Sequence, residues 1–363
     1  MKKKVIIFIV IVIILALAVG GALAYAIVRK NKAKNSNETN VEENQVAEEP
    51  KVEKTVQIYK GNERPIAVMI DNHKAALPQA GLNSAYMVYE IIVEGGESRL
   101  MALFKSSDTD IVGPVRSSRH YFLDYALEND AIYAHFGWSP QAQSDISSLG
   151  VNNINGLYYD GTSAYWRVKD KSAPHNVKAS LAGLKERAEK LGYRTTSDVS
   201  SVLKYVTDEV NLEDGESAET ITIPHSQLQT VKYEYDSENK VYKRYARGVA
   251  QKDWDTKDAI TIKNLIITYC DNYTLTDTEN KGRQGLKNIG TFDGYYITNG
   301  KAIKIKCIKE ARDSKTIYQD LQGNVIKVND GNTFVNICPT DAKVTIEGTD
   351  LVTNTETTNT VNQ

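Results

Sequence analysis

Three cysteines in 363 residues cannot all pair within one chain, which excludes the disulfide framework of a small secreted scaffold. Cys270, Cys307 and Cys338 each sit in or beside an apolar run, which favours buried free thiols over redox chemistry. An excess of one charge is also missing. Forty-four basic against 46 acidic residues leave a net charge of −2, without the basic surplus of a general nucleic-acid binder. Eight prolines and 23 glycines are too few for collagen or a low-complexity chain, and the 41% hydrophobic fraction excludes wholesale disorder. There is no phosphate-cradling Walker loop, no paired Cys-x-x-Cys and no dinucleotide fingerprint, so no cofactor is named by motif. Phenylalanine is scarce at six residues beside 21 tyrosines, whose rings could stack on sugars but fit better as alternate strand residues.

What is present begins with an unbroken uncharged, mostly apolar run from Val5 to Val28. At roughly 1.5 Å per helical residue it is long enough to cross a hydrocarbon core of about 30 Å. A cleavable signal peptide ending at Ala22-Leu23-Ala24 is the competing reading, but the run continues past that point, and its length favours an uncleaved anchor. Lysines flank both ends, so charge alone does not orient it. The first cysteine is Cys270, so the lipid attachment of a lipoprotein is excluded. Residues 29–57 form a polar linker rich in glutamate, and 348–363 a Thr- and Asn-rich tail expected to be disordered.

Between them lie two textures. Residues 58–195 alternate apolar strand runs with helical segments: strands at Arg64–Ile70, Tyr86–Val93, Ser98–Lys105 and Ala131–His135, with Glu94-Gly95-Gly96-Glu97 as a hairpin turn. Arg116–Arg119 is expected to open a helix capped by Ser117 or Ser118, and Ser139-Pro140 to start another. This first unit reads as α/β with a mixed sheet. Residues 200–347 read as mostly antiparallel β, with one further helix expected near Val199–Leu212. The texture break implies separate cores, so 58–195 is expected to fold alone where the interface is modest.

Several segments together resemble the YerB-like family, extracytoplasmic lipoproteins of Gram-positive bacteria whose two domains have no assigned function. They are Arg64-Pro-Ile-Ala-Val-Met-Ile-Asp-Asn-His73, Val88-Tyr-Glu-Ile-Ile-Val-Glu-Gly-Gly96, Gly113-Pro-Val-Arg-Ser-Ser-Arg119, Ser172-Ala-Pro-His-Asn176, Gly290–Tyr296 and Gly331–Pro339. The resemblance implies an exported, membrane-tethered protein of two domains, and it implies no reaction. The departure is the anchor, a candidate transmembrane helix in place of a lipid-bearing cysteine.

Ligands of open α/β sheets bind where loops leave the carboxyl ends of strands. Asp71 and His73 follow the first strand, Glu94 and Glu97 the second, and His135 ends a third. Arg116 and Arg119, three apart, would share one helical face and suit a phosphate, sulfate or carboxylate. Internal pairing with Glu90, Glu94 or Glu97 is the alternative. Asp71 with His73 reads either as an acid–base or metal pair or as a turn, and the turn is preferred, with no metal site expected. Arg167 and Asn176, in an irregular segment, and His135 complete the candidate ligand contacts, and His175 of the same segment is a catalytic candidate beside Asp71 and Glu94. Three functions fit. One is a cell-envelope protein binding an anionic wall polymer or lipid-linked precursor. The others are a hydrolase or transferase acting on such a ligand, with Asp71 or Glu94 as base, and an interaction module for an envelope protein. The bulk of the chain is expected outside the cytoplasm.

Overall fold

The computed structural model describes residues 54–276 and 279–347. The membrane-spanning helix expected at 5–28, most of the 29–57 linker and the 348–363 tail lie outside the described residues. Among the described residues no helix is long and apolar enough to cross a membrane.

Three strands set the frame: β1 (Ile66–Asp71), β2 (Met87–Ile92) and β3 (Ser98–Phe104), each buried at every position. Near-continuous apolar runs of this kind suit strands covered on both faces. β2 and β3 form the expected antiparallel hairpin, turned at Glu94–Gly96 where both glycines adopt φ of 71°. β3 pairs antiparallel with β1, which pairs parallel with Ile132–His135, itself parallel with Asn153–Asn155. The first unit is therefore a mixed sheet, as its sequence implies.

The sheet does not stop at the change of texture. The free edge of β2 takes the distant strand Thr333–Cys338 in parallel, followed by Asn264–Tyr269, Gly290–Thr298 and Lys301–Lys309. Eleven strands make up the result among the described residues. A second, antiparallel sheet of Thr220–Pro224, Thr230–Asp236, Val241–Ala246 and shorter strands covers one face. Alternate side chains of β1 divide between two cores. Val68 and Ile70 pack with Leu184, Ile221 and Val231, while Ala67 and Met69 pack with Phe122 and Tyr133.

Buried ion pairs also join the two stretches. Glu90 meets Arg244 at 2.7 Å with both side chains at 0% exposure, and Glu128 meets Lys309 at 2.8 Å. Arg312 reaches Asp124 and Asp145 on two helices, His120–Glu128 and Pro140–Ser148. Ser139 caps the second of these through the Ala142 amide, as expected. The three cysteines are free and buried, and burial pushes the Cys270 and Cys307 thiols up to about 12.

Two expected helices are corrected. Residues 116–119 are extended, and the helix begins at His120 with Arg119 as an N-cap whose side chain makes no capping bond. Backbone bonding holds them so: Arg116 donates to the Met69 carbonyl, Phe136 to that of Arg116, and Ser118 to that of Gly137. The serines spend their hydroxyls on the Phe136 carbonyl and on Tyr133 rather than on a helix start. Arg116 and Arg119 accordingly do not share a helical face. Near Val199–Leu212 there is a short strand, Lys204–Val206, parallel to Lys327–Asn329, with the Tyr205 hydroxyl donating to the Tyr86 carbonyl.

Candidate functional site

The last residue of β1 is Asp71, cross-strand from Arg99 at the start of β3. The extended 116–119 segment runs beside the same end, between β1 and the end of Ile132–His135. Side chains from four sequence-distant segments therefore converge at one sheet edge. Asp71 is nearly buried, and its Oδ1 accepts the His73 amide, the expected Asx turn. Its Oδ2 lies 2.7 Å from His175 Nδ1 and 3.1 Å from Arg116 Nε. The His73 ring stacks on that of His175, with centroids 4.6 Å apart and planes 12° from parallel. His73 Nδ1 accepts the Ala75 amide, so the proton of a neutral ring sits on Nε2, 3.9 Å from Glu97. Glu97 is held by Arg247 of the second sheet.

A second carboxylate sits beside this group. Glu94 receives Arg119 through two nitrogens, and Arg99 at 3.2 Å. Burial alone would raise the Glu94 carboxyl, but the Arg119 hydrogen bonds and the two guanidinium charges outweigh it and hold it at about 2. Arg99 is pulled down to about 10, first by burial and then by the Arg119 charge, against the pull of Glu94. Arg119 is thus internally paired. Arg116 is not closed off in the same way: its side chain is 26% exposed, and its terminal nitrogens meet no hydrogen-bond partner among the described residues.

Of the residues singled out from sequence, Asp71, Glu94, Arg116, Arg119 and His175 are brought together. Arg167 and Asn176 bond to each other, and Arg167 also to Asp160, with its guanidinium over the Phe136 ring. His135 is fully buried, its nitrogens facing the Gly137 carbonyl and the Asn153 side chain, and burial lowers it to about 4. Neither Arg167, Asn176 nor His135 makes a bond to the Asp71 cluster. Arg99 was missed, although a lone cation opening an apolar strand just after a turn is a readable signal. Lys171 was missed too. It donates to the Ala76 and Pro78 carbonyls over the Trp254 ring, and burial lowers it to about 8. No group of three or more metal-ligating side chains occurs among the described residues. A cavity of about 320 Å³ lies elsewhere, between Phe104, Ile132 and Leu181, but its Glu63, Arg64 and Asp110 are committed to partners.

Family comparison matches residues 52–194 to the N-terminal domain of a protein of unknown function (DUF3048) and residues 221–335 to its C-terminal domain. The chain is 29% identical over 284 residues to "Putative lipoprotein YerB" of Bacillus subtilis, covering 76% of this chain and 81% of that one. The crystal structure of YerB from Bacillus subtilis superposes with a TM-score of 0.70 at 30% identity, over 78% of this chain and 94% of that chain.

Proposed function

Because the chain belongs to the YerB-like (DUF3048) family, we propose that it is a membrane-anchored extracytoplasmic protein of the cell envelope that binds an anionic ligand at the carboxyl end of β1. Two facts support the address: the apolar run at 5–28, and the description of the Bacillus subtilis relative as a lipoprotein. No cysteine closes that run here, and the proposed attachment is therefore the apolar run itself.

The observation that carries the binding is Arg116. It spends only Nε, on Asp71, and keeps its two terminal nitrogens for a partner. Around it the guanidiniums of Arg99, Arg116 and Arg119 face the carboxylates of Asp71 and Glu94, an imbalance of one positive charge. A group with one negative charge and two accepting oxygens matches that fork. Anionic wall polymers and lipid-linked precursors are the envelope molecules with this chemistry.

Thermal melts of the full chain, with and without inorganic phosphate or wall-polymer fragments, test the reading. Ligand raises the wild-type midpoint. Arg116→Gln abolishes that rise and also lowers the unliganded midpoint, because nearly buried Asp71 loses its cation. Arg119→Gln melts lower without any ligand, because Glu94 loses its main partner. A wild type indifferent to every anion offered refutes the assignment.

A further inference from the structure

We propose that the same site breaks or transfers phosphodiesters, with His175 as the general base, Asp71 as the residue that positions it, and Arg116 holding the non-bridging oxygens. The inference rests on the anion-binding reading and adds a reaction to it.

Asp71 Oδ2 accepts from His175 Nδ1 at 2.7 Å, which fixes the Nδ1–H tautomer of a neutral ring and leaves the Nε2 lone pair free. Nε2 has no hydrogen-bond partner among the described residues, and the side chain is 16% exposed. Stacking on His73 fixes the ring plane. The other candidate bases are spoken for. Asp71 uses Oδ1 on the His73 amide and Oδ2 on His175 and Arg116. Glu94 is engaged at both oxygens and, at about 2, is too weak a base near neutrality. Because they share one carboxylate oxygen, His175 Nδ1 and Arg116 Nε lie at most about 6 Å apart, which sets the two side chains next to each other on Asp71. A diester carries one negative charge, which equals the local imbalance, and two non-bridging oxygens, which match the free guanidinium fork.

In the reaction, Nε2 takes the proton of a water or a sugar hydroxyl as that oxygen bonds to phosphorus. The bond from phosphorus to the leaving oxygen breaks with its electron pair, and protonated His175 returns the proton to that oxygen. Water gives a monoester and an alcohol, and a sugar hydroxyl gives a new diester.

The test follows 4-nitrophenolate release from bis(4-nitrophenyl) phosphate by the full chain, alongside the midpoint shift caused by inorganic phosphate. His175→Gln is expected to keep the phosphate shift and lose about 10²–10⁴-fold in rate. Asp71→Asn is expected to lose rate comparably, and Arg116→Gln to lose both rate and shift. A wild type that binds phosphate yet releases no nitrophenolate above buffer overturns the catalytic inference and leaves anion binding standing. So does a His175→Gln variant as fast as wild type. Absence of phosphate binding removes both. Nitrogen-15 NMR of the histidines gives a check independent of substrate: His175 should carry its proton on Nδ1, and an Nε2–H tautomer overturns the proposal.

Discussion

Arg244→Met removes the cation from a pair sealed inside the protein and leaves Glu90 behind. Glu90 then keeps Ser98 at 2.7 Å and Asn72 at 3.0 Å on Oε1, while Oε2, now bonded by Arg244 at 2.7 Å, faces nothing of opposite charge. Methionine fills much of the space, so electrostatics dominates. Stranding one partner of a buried pair costs about 3–5 kcal/mol, against about 0–1 kcal/mol for an exposed one. With an unfolding entropy of about 2.1 cal/mol/K per residue over roughly 290 residues, the midpoint should fall by about 5–8 °C. The pH dependence has a definite sign. In the parent, burial pushes the Glu90 carboxyl up, but Arg244 and His225 hold it below its ordinary value. Its contribution to stability is therefore present above the ordinary carboxylate range and is lost as pH falls through it. Without Arg244, burial dominates and the carboxyl rises, so the variant loses stability as pH climbs. The gap between the two melting curves should widen from pH 4 to pH 7. Adding Glu90→Gln to Arg244→Met should restore most of the loss. A single variant melting within about 1 °C of wild type at pH 7, where about 3–5 kcal/mol is at stake, would refute the reasoning.

A fragment of residues 58–195 lacks Thr333–Cys338 beside β2 and also lacks Arg244, Lys309 and Arg312. It should bind a hydrophobic dye and melt without cooperativity; a sharp melt would show that its own core suffices. Glu94, held at about 2, supplies stability that is complete above its ordinary value near 4.5 and is lost as pH falls from there toward 2. Glu94→Gln should flatten the fall in melting temperature over that window, and an unchanged slope would sever the link.

Local punctuation in the sequence was a good guide to local structure. Gly95-Gly96 marks a turn that needs two positive φ values, and Ser139-Pro140 marks a helix start, because both signals depend only on neighbouring backbone. The capping reading of Ser117 and Ser118 failed because tertiary backbone pairing with Met69 and Gly137 outcompeted the helix start. The site was legible in part. Asp71 and Glu94 are polar groups just at or after strand ends, which placement alone suggests, whereas Arg116 and Arg119 were expected at a helix start and His175 in an irregular segment. That His175 lies on Asp71, 104 residues away, follows from the packing of loops and has no periodic signature. The union of both stretches in one sheet was hidden for a related reason. Texture reports what each strand is made of and is silent on which edge it will join, although the mostly apolar runs at Met87–Ile92 and Thr333–Cys338, broken only by Glu90 and by Thr333 and Asn336, are consistent with central strands.

A chain made from its amino end completes β2 long before the partner of that strand exists. Roughly 240 residues separate Ile92 from Thr333, which at about 5–20 residues per second is some 12–50 s of synthesis. For that interval β2 offers an unpaired apolar edge, and for roughly the first 150 residues of it Glu90, on the same strand, has no Arg244 to pair with. The final strand of the large sheet therefore acts as a closing stroke. A nascent chain stopped just short of Thr333 holds most of the protein's residues and still leaves the sheet open at its middle, where chaperones and proteases can reach it.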